Sequence, residues 1–239
     1  MKRATLLVMF WLVTVPALFW LAIVAIAARP SKTSSVGLPR CFQDNELNES
    51  LDTLKLQPGL EVGRVSQSLL TKAKRAPSCR TQLVQTLIRD MEQAENTTNH
   101  SENYHLWENG ASLLAELKAT EALDLLIANI DLNDGFPSSL DDFPALVAIL
   151  RIGVPAIPKL QTVLSNDPAP HRRRFAALCI AYTGGSQALS ALTSALPGET
   201  DPCVKNFLRI SVQAFDNKEK PNHISSELNG KWLSAFYCR

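Results

Sequence analysis

Apolar residues in the middle of this chain recur with helical spacing, and three stretches that carry the same pattern superpose without a gap. They run over 106–130, 140–164 and 172–196. The superposition puts Ala111, Ala145 and Ala177 in one column and Ala122, Ala156 and Ala188 in another, with periods of 34 and 32 residues. In the second half of each stretch the apolar positions are spaced 1, 2, 5 and 9, as in Ala122, Leu123, Leu126, Ile130 and in Ala188, Leu189, Leu192, Leu196. That is one face of a 3.6-residue period rather than the alternation of a strand. The first half carries a broader stripe (Ala145, Leu146, Ile149, Leu150; Ala177, Leu178, Ala181), with alanine where two backbones would come close. Each stretch therefore predicts two helices.

The joints between them are marked as well. A column of Ala119, Gly153 and Gly185 stands between the halves, where a residue tolerant of φ > 0 would make the turn. Ser139 with Asp141 and Asp142, and Asp201 with Pro202, supply caps, first-turn acids or an N1 proline. Phe143, Phe175 and Phe207 recur every 32 residues, so 204–215 predicts the first helix of a further unit after Pro197 and Gly198. Upstream, Arg80 to Glu95 places Leu83, Leu87, Ile88 and Met91 on one face. Ser66 to Ala76 is its expected partner, giving an atypical first unit. A fixed period of this length marks stacked supersecondary units that bury one continuous core.

The start of the third stretch (Asp167, Arg172, Ala176, Ala177, Ala181, Gly184), echoed by Asp201, Val204 and Lys205, resembles the HEAT-like repeats of armadillo-type α-solenoids. Such repeats occur in bacterial scaffold proteins and in bilin-lyase-type proteins. The likeness covers 106–216 well and 62–95 poorly. It implies an all-α fold, a right-handed α-solenoid of about four antiparallel helix pairs over 62–216, with 217–239 as a C-terminal cap built on Trp232, Leu233, Phe236 and Tyr237. Residues 30–61 are expected to be a linker and irregular segment. Such repeats specify packing, and function does not follow from them.

Lys2 and Arg3 precede an uncharged run from Ala4 to Ala28, closed by Arg29 and Pro30. At about 1.5 Å rise per residue the run can cross a hydrocarbon core of roughly 30 Å. Residues 1–29 are thus a signal-anchor, or a signal peptide for which Ala25 and Ala27 offer a small-residue cleavage site. The repeat domain is expected outside the cytoplasm, membrane-bound through 4–28 or secreted or periplasmic after cleavage.

Five cysteines bear on that placement. Cys179 falls in a core column with Leu113 and Val147 and reads as a buried hydrophobe. Cys41, Cys79, Cys203 and Cys238 remain, an even number at the two ends of the domain, which suggests two disulfides in an oxidising compartment. Three pairings are open; Cys41 with Cys79 and Cys203 with Cys238 would pin each end of the array. Asn48, Asn96 and Asn99 head N-x-S/T sequons, glycan sites in a eukaryotic secretory protein and without that meaning in a bacterium. The polar stretch Glu95 to Tyr104 reads as a flexible loop.

The chemistry is sparse. His100, His105, His171 and His223 are scattered, and no metal-ligand spacing, nucleophile triad or phosphate loop is present. No metal, cofactor or small-molecule substrate is expected, and Trp107 and Tyr182 read as packing residues. The net charge of +1 speaks against nucleic acid. Arg172, Arg173 and Arg174 place three positive charges at a helix start, where the macrodipole disfavours them. The repeat likeness implies pairing with acids of a neighbouring unit, with Asp141, Asp142 or Asp201 as candidates. The other reading is an anion-binding patch for lipid headgroups or an acidic partner. A protein-binding module without catalysis is the expectation, and a bilin-lyase-like enzyme the alternative.

Overall fold

The computed structural model describes residues 41–94, 100–135 and 139–216. Among these every regular element is helical. The elements are α1 (Asp44–Leu54), α2 (Leu60–Ala73), α3 (Pro77–Ala94), α4 (His100–Glu116), α5 (Leu123–Ala128), α6 (Pro144–Ile152), α7 (Ile157–Asn166), α8 (Pro170–Thr183), α9 (Gly185–Ala195) and α10 (Pro202–Asp216). Short 3₁₀ turns at Thr120–Ala122, Leu140–Asp142 and Val154–Ala156 lead into α5, α6 and α7.

The helices pack in a regular order. Helix α2 touches α4, α4 touches α6, α6 touches α8 and α8 touches α10; on the other side α5 touches α7 and α7 touches α9. Alanine permits these close approaches: Ala111, Ala145, Ala177, Ala122, Ala156 and Ala188 are all fully buried. Larger side chains fill the space between, with the Phe143 and Phe175 rings packed at a 59° tilt, 5.0 Å between centroids, and Phe207 wholly enclosed. Trp107 is core, as its place in the pattern predicts, and Tyr182 is half-buried.

The start signals work as read. Ser139 and Asp142 form a reciprocal capping box, the Asp142 carboxylate accepting the Ser139 amide at 2.7 Å. Asp201 Oδ1 accepts the amides of Cys203 and Val204 at 3.0 and 2.9 Å, with Pro202 opening α10. The turn column is displaced by one residue in one unit. Gly153 takes φ 83° as expected, but Ala119 lies at −76° and the left-handed residue is Lys118, at φ 48°. In the next turn both Gly184 and Gly185 are left-handed, at 72° and 82°.

Two stretches expected to be irregular are helical. Residues 44–54 form α1, whose Leu47, Leu51 and Leu54 sit on one buried face. Three leucines make too narrow a stripe to stand out; the helix is stabilised from outside, because Asn109 Nδ2 donates to the Leu54 and Leu56 carbonyls at 2.8 and 3.2 Å. The polar run read as a loop up to Tyr104 already belongs to α4 from His100, so His100 and His105 lie on a helix. Its buried face begins with Leu106 and Trp107. The segments 1–29, 30–40 and 217–239, with the expected anchor, the expected cap and Cys238, lie outside the described residues, as do Asn96 and Asn99. Asn48 is exposed on α1. Among the described residues no single helix is long and apolar enough to cross a membrane.

Candidate functional site

Polar chemistry concentrates where one helix pair hands over to the next. Three turns there repeat one device at the sequence period. Asn133 Oδ1 accepts the Gly135 amide at 2.7 Å, Asp167 Oδ1 the Ala169 amide at 2.9 Å and Glu199 Oε1 the Asp201 amide at 2.8 Å. In each, a side-chain oxygen closes the turn on the amide two residues on.

The arginines of α8 reach into these turns. Arg172 donates from Nε to Asp167 at 2.9 Å, from Nη1 to Asp131 at 3.0 Å and to the Ala128 carbonyl at 2.9 Å, and from Nη2 to the Ile127 carbonyl at 3.0 Å. Its guanidinium thereby closes the C-terminal end of α5, where carbonyls lack intrahelical partners. Arg173 grips Glu199 through two parallel bonds of 2.9 and 2.8 Å, and its Nη1 donates to the Asp167 and Pro168 carbonyls. This pair is nearly enclosed, the side chains being 12 and 4 % exposed. Arg174 Nη1 donates to Cys203 Sγ at 3.3 Å.

Ionisation follows from these contacts. Burial alone would raise the Glu199 carboxyl, but Arg173 and the Asp201 and Thr200 amides together hold it below its ordinary value. Asp167 is also lowered: burial opposes, while the Ala169 amide and Arg172 prevail. The Arg173 guanidinium is raised by its bonds to Glu199 against the cost of burial.

The structure thus pairs the α8 arginines with protein groups, as the repeat likeness implied, but with other acids. Asp131, Asp167 and Glu199 serve; Asp142 and Asp201 instead cap the starts of the following helices, and Asp141 is exposed. Sequence reasoning missed Glu199. Its signal was its place 32 residues after Asp167, with an acid two residues beyond. The positive charges of Arg172 and Arg173 are turned inward and do not form an open basic patch. His171 adds to the cluster, its Nε2 lying 3.0 Å from Asp131.

Cross-links join the second helices too. Arg80 binds Glu121 at 2.6 and 3.1 Å, Lys159 pairs with Asp124, and Gln161 donates to Ser194. A cavity of about 300 Å³ opens between the ends of α7 and α9, lined by residues 164–167, Arg173, Ser194, Ala195 and residues 198–200. Among the described residues no three His, Cys, Asp or Glu side chains converge on a metal-sized site.

Of the cysteines, Cys41 and Cys79 form a disulfide, and Cys203 is also disulfide-bonded. Cys179 is a free, fully buried thiol whose ionisation burial pushes up. No family model, curated protein or solved structure matches the chain.

Proposed function

We propose that the chain is a membrane-anchored or exported HEAT-like α-solenoid that binds a protein partner and catalyses no reaction of its own. The observation that carries this reading is the packing order: α2, α4, α6, α8 and α10 in succession on one side, and α5, α7 and α9 on the other. Buried alanine columns and turns that recur at the sequence period support it. A stack of this kind offers a long surface made by its second helices, which here carry small uncharged side chains such as Thr162, Gln187, Ser190 and Thr193, all exposed. The Cys41–Cys79 disulfide supports an oxidising compartment, and the apolar run 4–28 supplies the tether or export signal.

Photo-crosslinking tests the reading. A photoreactive phenylalanine analogue at Thr162 or Ser190 of the full-length protein, in membranes from its source cells, should trap one discrete protein. The same group at Thr71 on α2 should not. Equal, diffuse trapping at all three positions would count against a binding surface on the second helices. Protease accessibility of the domain in sealed vesicles tests its placement.

A further inference from the structure

We propose that the open side of α9 and α10 is the seat of the chain's own C-terminal segment, 217–239, which packs there in the place of a last second helix and is tied to the start of α10 by a Cys203–Cys238 disulfide. This closure presupposes the repeat stack of the reading above. It gives the end of the array to the chain itself and leaves the partner the lateral surface of the second helices.

The two rows of helices end differently. In α8, Ala177 and Ala181 are enclosed, whereas their counterparts 32 residues on in α10 are Arg209 and Gln213, both exposed. A polar, solvated side is how the terminal unit of a stack finishes, so the row of first helices is complete at α10. The row of second helices is not. Leu123 and Ile157 are 2 and 0 % exposed, and Ile130 and Leu164 are 0 and 2 % exposed. Their counterparts Leu189 and Leu196, in and just after α9, are only half-buried. Val212 of α10 is half-buried too, in a column where Leu114, Ala148 and Ile180 are enclosed. Ala188 and Leu192 of the same α9 stay at 0 %. What Leu189, Leu196 and Val212 lack is therefore the cover of one more second helix, as α7 lies against α5 and α9 against α7.

Cysteine arithmetic and chain length name the occupant. Cys203, in the first turn of α10, is disulfide-bonded; Cys41 is joined to Cys79, and Cys179 is a free thiol. Of the five cysteines, Cys238 is the one left to pair with it. The 15 residues of α10 span roughly 20 Å. Extended chain advances roughly 3.3 Å per residue, so 217–231 can return over that distance with slack. Trp232, Leu233 and Phe236 then come alongside α9 and α10 before the chain reaches Cys203. They carry the spacing 1, 2 and 5 of Ala188, Leu189 and Leu192, the apolar stripe by which the second helices pack. Closing the bond removes two electrons and two protons from the Cys203 and Cys238 thiols. A disulfide-carrying oxidant of an oxidising compartment takes them up and is left as its dithiol.

The test uses full-length protein in lipid nanodiscs, kept oxidised, with leucine and valine methyl groups ¹³C-labelled. Nuclear Overhauser contacts are expected between the methyls of Leu189, Leu196 and Val212 and the rings of Trp232 and Phe236. Mass mapping of unreduced peptides from the monomer should join 203 to 238. Leu233→Asp combined with Phe236→Asp should keep that link, abolish the methyl contacts and speed hydrogen exchange of the amides 189–196 by at least about tenfold, with 111–117 unchanged. The contacts and the link are read in the parent, so they decide even where the double variant fails to fold. Missing methyl–ring contacts in the oxidised parent, a Cys203 bonded to a second copy, or unchanged exchange at 189–196 in a folded double variant would overturn the assignment. Any of these would leave the crosslinking test at Thr162 and Ser190 untouched.

Discussion

Both ends of the described array carry a disulfide-bonded cysteine, but only at one of them are the turns also held by a buried ion pair. At the α1 end Cys41 is bonded to Cys79, and the adjacent Phe42 is fully buried. The side-chain amide of Gln82 brackets Phe42, accepting from its N–H and donating to its carbonyl, both at 3.4 Å, and Lys72 stands 5.8 Å over its ring. At the α8–α10 end Cys203 is disulfide-bonded too, and the described turns are held in addition by charge, with Arg172 and Arg173 threaded between carboxylates and helix ends. The first kind of fastening constrains the unfolded chain and is indifferent to pH. The second acts in the native state and depends on ionisation.

Breaking the buried pair should have the largest effect. Glu199→Gln leaves the Arg173 guanidinium enclosed with a neutral partner, and loss of one member of a buried pair typically costs roughly 3–5 kcal/mol. Urea denaturation should show the midpoint fall with little change in slope. Acid sharpens the contrast. The Glu199 and Asp167 carboxyls are lowered on folding, so their stabilisation is complete above the unfolded-state values. It is lost as pH falls through the folded ones, below the ordinary 4.5 and 3.8. The melting temperature should therefore fall as pH drops below about 4.5, and less so in Glu199→Gln.

The α1 end should respond to loss of its own disulfide instead. Replacing Cys41 and Cys79 together by Ser frees a loop spanning 38 residues and should cost about 2–4 kcal/mol in the chain-entropy account. That loss should be the same at pH 4 and pH 7. A disulfide variant whose loss grew in acid would undo the distinction between the ends.

How far these differences could be read beforehand depends on their range. Helix pairs from 106 to 216 were legible because they are periodic: Ala145, Ala177 and Ala188 fill a repeated place and all prove buried. Helix α1 was not, because its three leucines are supported by Asn109, 55 residues from Leu54 in sequence. The arginine cluster was legible as charge but not as pairing. Asp131 lies 41 residues from Arg172 and Glu199 lies 26 from Arg173, and only packing decides which acids arrive. Lys118 escaped because a left-handed turn usually announces itself with glycine, and here a lysine takes it, with its ammonium on the Arg151 carbonyl.

Between the two ends the core should answer to volume alone. Ala177 is fully buried in α8, the helix enclosed on all sides from Phe175 to Ala181. Ala177→Phe must force side chains from their rotamers or part α8 from its neighbours, at about 1–3 kcal/mol or more. Neither low pH nor reductant should alter that difference.

The smallest effect separates the buried face from the exposed one on neighbouring helices. Ser194 is exposed near the end of α9, where its hydroxyl donates to the Ala191 carbonyl within the helix and accepts from Gln161. Ser194→Phe adds the same ring as Ala177→Phe but places it at solvent, losing one surface hydrogen bond and gaining partial contact with α7. The stability change should stay within about 0.5 kcal/mol, the range of surface substitutions. Melting both phenylalanine variants side by side checks the assignment of faces. A Ser194→Phe loss as large as that of Ala177→Phe would mean that the outer surface of α9 is packed.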